Sequence, residues 1–295
     1  METFLEIRKL ADKDISIVTD WARQEGFAPG IGDISIYKHT DRQGLWIGVL
    51  NGELVGCISA VRYNSNYAFI GLFIVKKKYR GNGYGLQLWK KALSHLEKVP
   101  CIGLEAALTL EKDYIKWGFK SSSITTRWII NNSTDSNIED RSTKKNNNFR
   151  LVTADLIPDK IVQKYDESKE ATPRPHFLSD WLHHPAGKVL ILLNHNDHCV
   201  GFGRIRPCLL QSGTGWRIGP LIADDKLLAE ILIEALIIRH PGKILIDSPG
   251  LNSSAEKLFK KIGFNRDSTT IRMYKGSQPS IKLNDVYGLA SLELG

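Results

Sequence analysis

The sequence predicts a mixed α/β protein made of two copies of one fold, and three observations carry that reading. The chain has 295 residues, enough for two domains that each bury a core. A run of almost purely polar residues, NNSTDSNIEDRSTKKNNN from Asn131 to Asn148, lies near its middle and has no hydrophobic period. On either side of that run the same order of segments is written twice.

EIRKLADKDISIVTDWARQEG near the start matches NFRLVTADLIPDKIVQKYDESKE after the polar run: a short strand, a polar turn and a helix-like stretch. WIGVLNGELVGCISAVRY matches VLILLNHNDHCVGFGRIRP. Each is two apolar runs around a polar turn, Asn51-Gly52 in the first copy, which signals a β-hairpin. FIGLFIV and WRIGPLIA are strand-like runs that each lead into a helix, and IGLEAALTLEKDYIKWGF then pairs with ILIDSPGLNSSAEKLFKKIGF. Gly118-Phe119 and Gly263-Phe264 are 145 residues apart, and so are Arg127 and Arg272. Each copy therefore reads β-α-ββ-β-α-β-α-β, a mixed sheet with helices on its faces. The expected limits are 1–130 and 149–295, with a polar linker over 131–148.

Hydrophobic content of 42% and charged content of 24% are ordinary for a globular protein. The longest apolar stretches, such as Ile231 to Ile238, contain a charge and are too short to cross a membrane. The N-terminus shows no secretory signal. Cys57, Cys101, Cys199 and Cys208 lack CxxC or zinc-like spacing, and no Cys/Asp/Glu set near the histidines at 183–184 and 195/198 completes a metal site. A reduced, cytoplasmic setting without a metal is expected. The net charge of +8 permits an anionic partner. The lysines and arginines are spread over both halves without interleaved stacking aromatics, which argues against nucleic acid.

The most informative stretch is KKKYRGNGYGLQLWKKAL, Lys76 to Leu93. An apolar strand-like run, Tyr67 to Val75, precedes it. Leu86, Trp89, Ala92, Leu93 and Leu96 then form an apolar stripe at helical spacing. Between them Arg80-Gly81-Asn82-Gly83-Tyr84-Gly85 joins strand to helix. Such a loop turns backbone N–H groups outward at the positive end of the helix dipole, where an anion is favoured. Side chains would block a phosphate there, and Arg80 with Lys76, Lys77 and Lys78 adds positive charge. No Gly-Lys-Ser/Thr follows, and Leu86 stands where GxGxxG needs its third glycine, which excludes two common phosphate loops.

Arg80-x-x-Gly83-x-Gly85 resembles the pyrophosphate loop of the GNAT superfamily, the acetyl-CoA-dependent N-acetyltransferases. Tyr114-Ile115-Lys116-Trp117-Gly118-Phe119 is similar to that superfamily's Y-x-x-x-G-F ending. GCISAVRY, FIGLFIV, RGNGYGLQLW and IGLEA resemble the first domain of the YitH-like tandem acetyltransferases. GWRIGPLIAD, ILIDSP, LNSSAEKLFKKIGF, RMYKG and the closing YGLASLELG resemble their second. The resemblance runs from about Phe4 to Gly295, sparing the linker, and implies two tandem GNAT folds, each a mixed, mostly antiparallel sheet flanked by helices.

It also implies a chemistry: direct attack of an amine on the thioester of acetyl-CoA, the acyl donor. The backbone of Phe73-Ile74-Val75 is expected to bind the pantetheine arm, and Arg80, Gly81, Asn82, Gly83, Tyr84 and Gly85 the pyrophosphate. Tyr114 stands where the general acid for the departing thiolate is expected. Tyr67 to Val75 carries no carboxylate, so the base is sought elsewhere: Glu105 first, Glu25 and Asp33 after it, with a water relay or an already neutral amine as alternatives. The acceptor is an amine on a small molecule, a lysine or a protein N-terminus. It would be a host protein if the chain were an effector secreted into a host cell by a bacterium, a route that needs no signal peptide. A sensor that holds acyl-CoA without turnover is the rival reading.

The second copy departs from the pattern. Gly219 to Asp225 offers two acids and no glycine cradle, and Phe259 replaces Tyr114. Asn252 matches the Asn that opens this helix in many GNATs, and Asp247 parallels Glu105. The first copy is therefore expected to carry the chemistry, with the second supplying substrate surface or being a divergent transferase.

Overall fold

The computed structural model of the chain describes residues 5–133 and 149–295. The first half contains β1 (Glu6–Lys9), α1 (Ile15–Gln24), α2 (Asp33–Thr40), β2 (Leu45–Leu50), β3 (Glu53–Arg62), β4 (Tyr67–Val75), α3 (Tyr84–His95), β5 (Cys101–Ala107), α4 (Glu111–Lys116) and β6 (Lys120–Asn132). The second repeats that order as β7 (Phe149–Thr153), α5 (Asp159–Glu167), α6 (Pro175–His183), β8 (Lys188–Asn194), β9 (Cys199–Leu209), β10 (Thr214–Ala223), α7 (Lys226–Ile237), β11 (Gly242–Pro249), α8 (Ser253–Ile262) and β12 (Asn265–Gly276), and adds β13 (Val286–Gly288). Most of the expected linker lies outside the described residues; its first two residues, Asn131 and Asn132, end β6.

Each copy has one helix more than its sequence pattern predicts. The extra helix of the first half, DISIYKHT, buries Asp33, Ile34, Ile36 and Tyr37 within five positions. Burial on adjacent positions erases the polar face from which a helical period is read.

The two halves form one sheet of mixed, mostly antiparallel strands, ordered β1-β2-β3-β4-β5-β12-β6-β11-β10-β9-β8-β7 with β13 beside β10. Among the described residues only β4–β5 and β10–β11 pair in parallel. Side chains alternate across this sheet as the pleat requires. Trp46 faces the core under α3 and α4, whereas its neighbours Leu45 and Ile47 face a core built from α1, α2, α5 and α6. That second core draws on both halves, and Ala290 and Leu294 of the C-terminal tail are part of it. A further core lies under α7 and α8.

The centre of the sheet shows an exchange. The final strand of each copy lies across the seam: β12 pairs with β5 of the first half, and β6 pairs with β11 of the second. This gives a physical reason for arginines 145 residues apart. In register, Arg127 faces Asp247 and Arg272 faces Glu105. Arg127 donates from Nε at 2.7 Å and Nη2 at 3.0 Å to the two oxygens of Asp247, and Arg272 donates from Nε to Glu105 at 2.6 Å. All four side chains are buried, so each pair joins the halves where water competes least. Removing one partner of a buried pair costs about 3–5 kcal/mol. Arg127→Ala is therefore expected to lower the denaturant midpoint of the whole chain in one transition. An unchanged midpoint, or two separate transitions with only one moved, would show that the seam does not couple the halves.

Candidate active site

The site begins with a defect in β4. Its ladder with β3 shifts register between Cys57 and Ser59, and Leu72 opposite that shift has φ of 46°. A branched residue in the left-handed region is rare and persists only where packing enforces it. The defect is a β-bulge, which bends the strand and ends regular pairing. On its other edge β4 pairs with β5 only from Tyr67–Cys101 to Ile70–Leu104. Beyond Ile70 the two strands part, and β4 presents backbone groups there with no strand partner. A cavity of about 610 Å³ fills the opening. Its walls include Gly71, Leu72, Phe73 and Val75 from β4, and Glu105, Ala106 and Ala107 from β5. Ile74 alternates away into the core shared by both halves and does not line the cavity.

The glycine loop lies between β4 and α3, next to the mouth of this cavity; of its residues Arg80 reaches the wall. Gly81 and Gly83 have φ of 80° and 77°, and a Cβ on either would project into open space. A cradle is thus kept clear in front of the α3 N-terminus, which Gly83 begins without any side-chain cap. Those first N–H groups have no partner in the helix. Gly85 is different. Its Cβ would make ordinary contact with Phe73 and Val75 at 3.4 and 3.5 Å. Asn82 spans the turn, donating to the carbonyls of Tyr79 and Arg80, while Tyr84 buries its ring against the core. Lys76, Lys78 and the Tyr79 hydroxyl converge on Glu53, holding its carboxyl down at about 2. Of the four cations read from the sequence beside the loop, Lys77 and Arg80 are the two that Glu53 does not hold. Arg80 donates to the Val75 carbonyl at 2.8 Å and to Glu25 at 2.6 Å. Its pair with Glu25 is exposed and therefore weak, so turning the guanidinium toward a phosphate would cost little.

Tyr114 of α4 reaches the cavity from beneath, packed against Trp89 and Phe119 at ring separations of 5.2 and 6.2 Å. Burial, with a smaller contribution from Asp113, pushes its phenol up to about 12. It is protonated throughout the neutral range, and its hydroxyl has no hydrogen-bond partner among the described residues. The three carboxylates read from the sequence as possible bases part company. Glu25 lies on the cavity wall and pairs with Arg80. Glu105 also lies there, but Arg272 and Thr270 each hold one of its oxygens. Asp33 lies off the cavity. Burial alone would raise its carboxyl, but Arg206 at 2.7 and 2.8 Å brings it below the ordinary value. The sequence reading did not anticipate Phe27, Leu292 and Glu293, which also line the cavity.

The corresponding opening of the second half is filled by the chain itself. β10 also shifts register, between Ile218 and Leu221, and pairs with β11 only over Trp216–Ile218. Past that point β13 takes the place beside β10, with Leu221 opposite Gly288 and Ile222 opposite Val286. Asn252 holds the insert: its Nδ2 donates to the carbonyls of Asn284 and Val286, while its Oδ1 caps α8 at Ala255 N. The loop before α7 is closed as well. Asp225 accepts from Leu228 N at 2.9 Å, and Asp224 accepts from Tyr165 and Lys169. The Asp225 carboxylate therefore occupies the anion position at that helix N-terminus.

Comparisons with known proteins agree with this architecture. Residues 14–116 match the model of the acetyltransferase (GNAT) family, and residues 162–288 match a second model, an acetyltransferase (GNAT) domain. The chain is 31% identical over 281 residues, 95% of its own length and 90% of the relative's, to holothin acyltransferase of Pseudoalteromonas sp. (strain SANK 73390). It is 23% identical over the full length of both chains to the uncharacterized N-acetyltransferase YitH of Bacillus subtilis (strain 168). In fold it is similar to a crystal structure of a putative acetyltransferase from Pyrococcus horikoshii, with a TM-score of 0.80, 23% identity, and 99% and 96% of the two chains covered. It is also similar to a tandem GNAT protein from the clavulanic acid biosynthesis pathway, with a TM-score of 0.65, 14% identity, and 94% and 100% covered. With two matched domains and a near full-length acyltransferase relative, the chain belongs to the GNAT acetyltransferase family as a tandem, two-domain acyltransferase.

Proposed function

We propose that this protein transfers an acyl group, acetyl in the simplest case, from coenzyme A to a primary amine, and that it does so only in its first half. The observation that carries this reading is the contrast between the two openings of the sheet. One is a cavity flanked by a clear glycine cradle and a phenol; the other is packed with β13.

The cradle fits a pyrophosphate, since a Cβ at Gly81 or Gly83 would stand in its space. In this reading the N–H groups at the start of α3 receive the pyrophosphate, with Arg80 and Lys77 beside it. The free edge of β4 at Phe73, Ile74 and Val75 hydrogen-bonds the pantetheine amides, and an N–H of the bulge stabilises the oxyanion as it forms. Tyr114 gives its proton to the departing thiolate. The relative that acts on holothin makes a small-molecule amine the first acceptor to try.

The test combines calorimetry with product analysis on the full chain. Acetyl-CoA is expected to bind with a stoichiometry of one per chain. Incubation with holothin and a panel of primary amines is expected to give an amide and free thiol. Binding without loss of the thioester across the panel would overturn catalysis in favour of a sensor, and two sites per chain would overturn the assignment to the first half.

A further inference from the structure

Three glutamates line the cavity, and they differ in what they already hold. Glu25 is paired with Arg80, and Glu105 with Arg272 and Thr270. Glu293 is not satisfied. It is 5% exposed, and its Oε2 is fully buried with no hydrogen-bond donor. Its ion-pair partner is Arg217, whose Nη1 stands 3.6 Å from Oε2, beyond hydrogen-bond reach, and donates instead to the Phe27 and Ala28 carbonyls, while its Nη2 is committed to Asp247 at 2.8 Å. A buried carboxylate oxygen left without a donor is costly, and native structures keep few of them. We propose that Glu293, carried on the C-terminal tail of the second half, is the residue that receives the acceptor in the first half's cavity: a small primary amine on an apolar body. The proposal rests on the transferase reading above.

The tail is built to hold this side chain in place. Ser291 accepts from Tyr37 at 2.8 Å and from the N–H of Glu293 at 3.2 Å, and the Leu294 carbonyl accepts from Tyr63 at 3.1 Å. The backbone of residue 293 lies directly on β4 just before the bulge. A Cβ added to Gly71 would stand 2.2 Å from the Glu293 carbonyl oxygen, so Gly71 is the residue that lets the tail come this close. The carboxylate is thereby brought next to the stretch of β4 from which the thioester would be held. Phe27, Leu72 and Leu292 give the adjacent wall its apolar character. A carboxylate with one oxygen left without a hydrogen bond, beside an apolar wall, selects an ammonium on a hydrophobic body. The charged and titratable groups around Glu293 are Arg217 of β10, Tyr37 and Asp33 of α2, and Glu25, Glu105 and Arg127 across the cavity.

The proton balance is simple. The acceptor enters as an ammonium and gives one proton to Glu293, from which it passes to solvent. The freed nitrogen pair forms the C–N bond at the thioester carbon. The C–S bond breaks with its electron pair leaving on sulfur, and Tyr114 protonates that sulfur. The nitrogen's second proton replaces the one Tyr114 gave, leaving an amide and coenzyme A thiol.

The test uses the full chain loaded with coenzyme A and titrated calorimetrically with phenethylamine, benzylamine and tyramine. The wild type is expected to bind at least one of them, and Glu293→Gln to bind it at least tenfold more weakly while keeping its affinity for coenzyme A, which also reports that the variant is folded. With acetyl-CoA in place of coenzyme A, Glu293→Gln is expected to lose about 10²-fold in turnover at neutral pH. It should regain rate toward the amine's own pKa, about 10 as for a lysine, where no base is needed. Glu293→Asp should restore part of both losses. Equal amine affinity in Glu293→Gln and wild type, or no binding of any of the three amines by wild type, would overturn the proposal. Amine binding that depends on Glu293 but yields no amide would leave it standing and overturn the transferase reading instead.

Discussion

Gly83→Glu should abolish coenzyme A binding while leaving the protein folded. At φ of 77°, Gly83 can accept a side chain only at the cost of left-handed strain, about 1–2 kcal/mol. The Cβ itself meets nothing within 4 Å, so the substitution enters open space rather than a packed neighbour. What the new carboxylate meets is the ligand. Like charges about 4 Å apart near a protein surface repel by about 4 kcal/mol, roughly three decades in affinity. Gly242→Glu is the matched control. Gly242 has φ of 98°, nothing within 4 Å of its Cβ, and lies at the start of β11 in the second half. It should lose comparable stability and no affinity. Wild-type coenzyme A affinity in Gly83→Glu would move the pyrophosphate away from this loop.

The features that could be read from the sequence are those written locally. The repeat, the hairpins, the strand–glycine–helix unit and the tyrosine before Gly118-Phe119 each occupy a few neighbouring positions, and the structure has them in the expected order. The exchange of β6 and β12 across the seam is not of this kind. A strand's alternation names the face that is buried but not the neighbour along the sheet, and these two strands carry the same arginine at equivalent places. Arg127 and Arg272 were visible as a repeat, yet only the register shows that each pairs with an acid of the other half.

The candidate site was legible only as a set of residues around one cavity. Phe73, Val75, Arg80, Glu105 and Tyr114 all reach one cavity. The missing pieces come from far along the chain. β13 has only three residues, Val-Tyr-Gly, too short to show a period, and Glu293 follows it in a tail whose sequence has no signal for a partner near Gly71. Gly71 itself was a clue: a glycine inside a strand marks a bulge or the close approach of another backbone. The tail also gives the second half a role. One segment fills the opening beside β10, and the next lies across β4, so a divergent copy that holds its own chain can still shape the cavity of its partner.

Tyr114→Phe tests the chemistry rather than the binding. Loss of a positioned general acid costs about 10²–10⁴-fold in turnover. The ring itself is retained, so the packing on Trp89 and Phe119 and the affinity for coenzyme A should not change. The pH dependence adds a second signature. A phenol raised to about 12 keeps its proton as pH rises through the neutral range and surrenders it only near that value. Tyr114 therefore should place no falling limb on the rate between pH 6 and 10, intervals well below its raised value. Any limb in that range must come from the amine or from a carboxylate. In Tyr114→Phe the profile should keep its shape at a lower height, because the group removed does not titrate there. If instead turnover is unchanged, the thiolate leaves without help from this residue. If an alkaline limb present in wild type disappears in the variant, Tyr114 titrates near neutrality and its role as a standing acid is wrong.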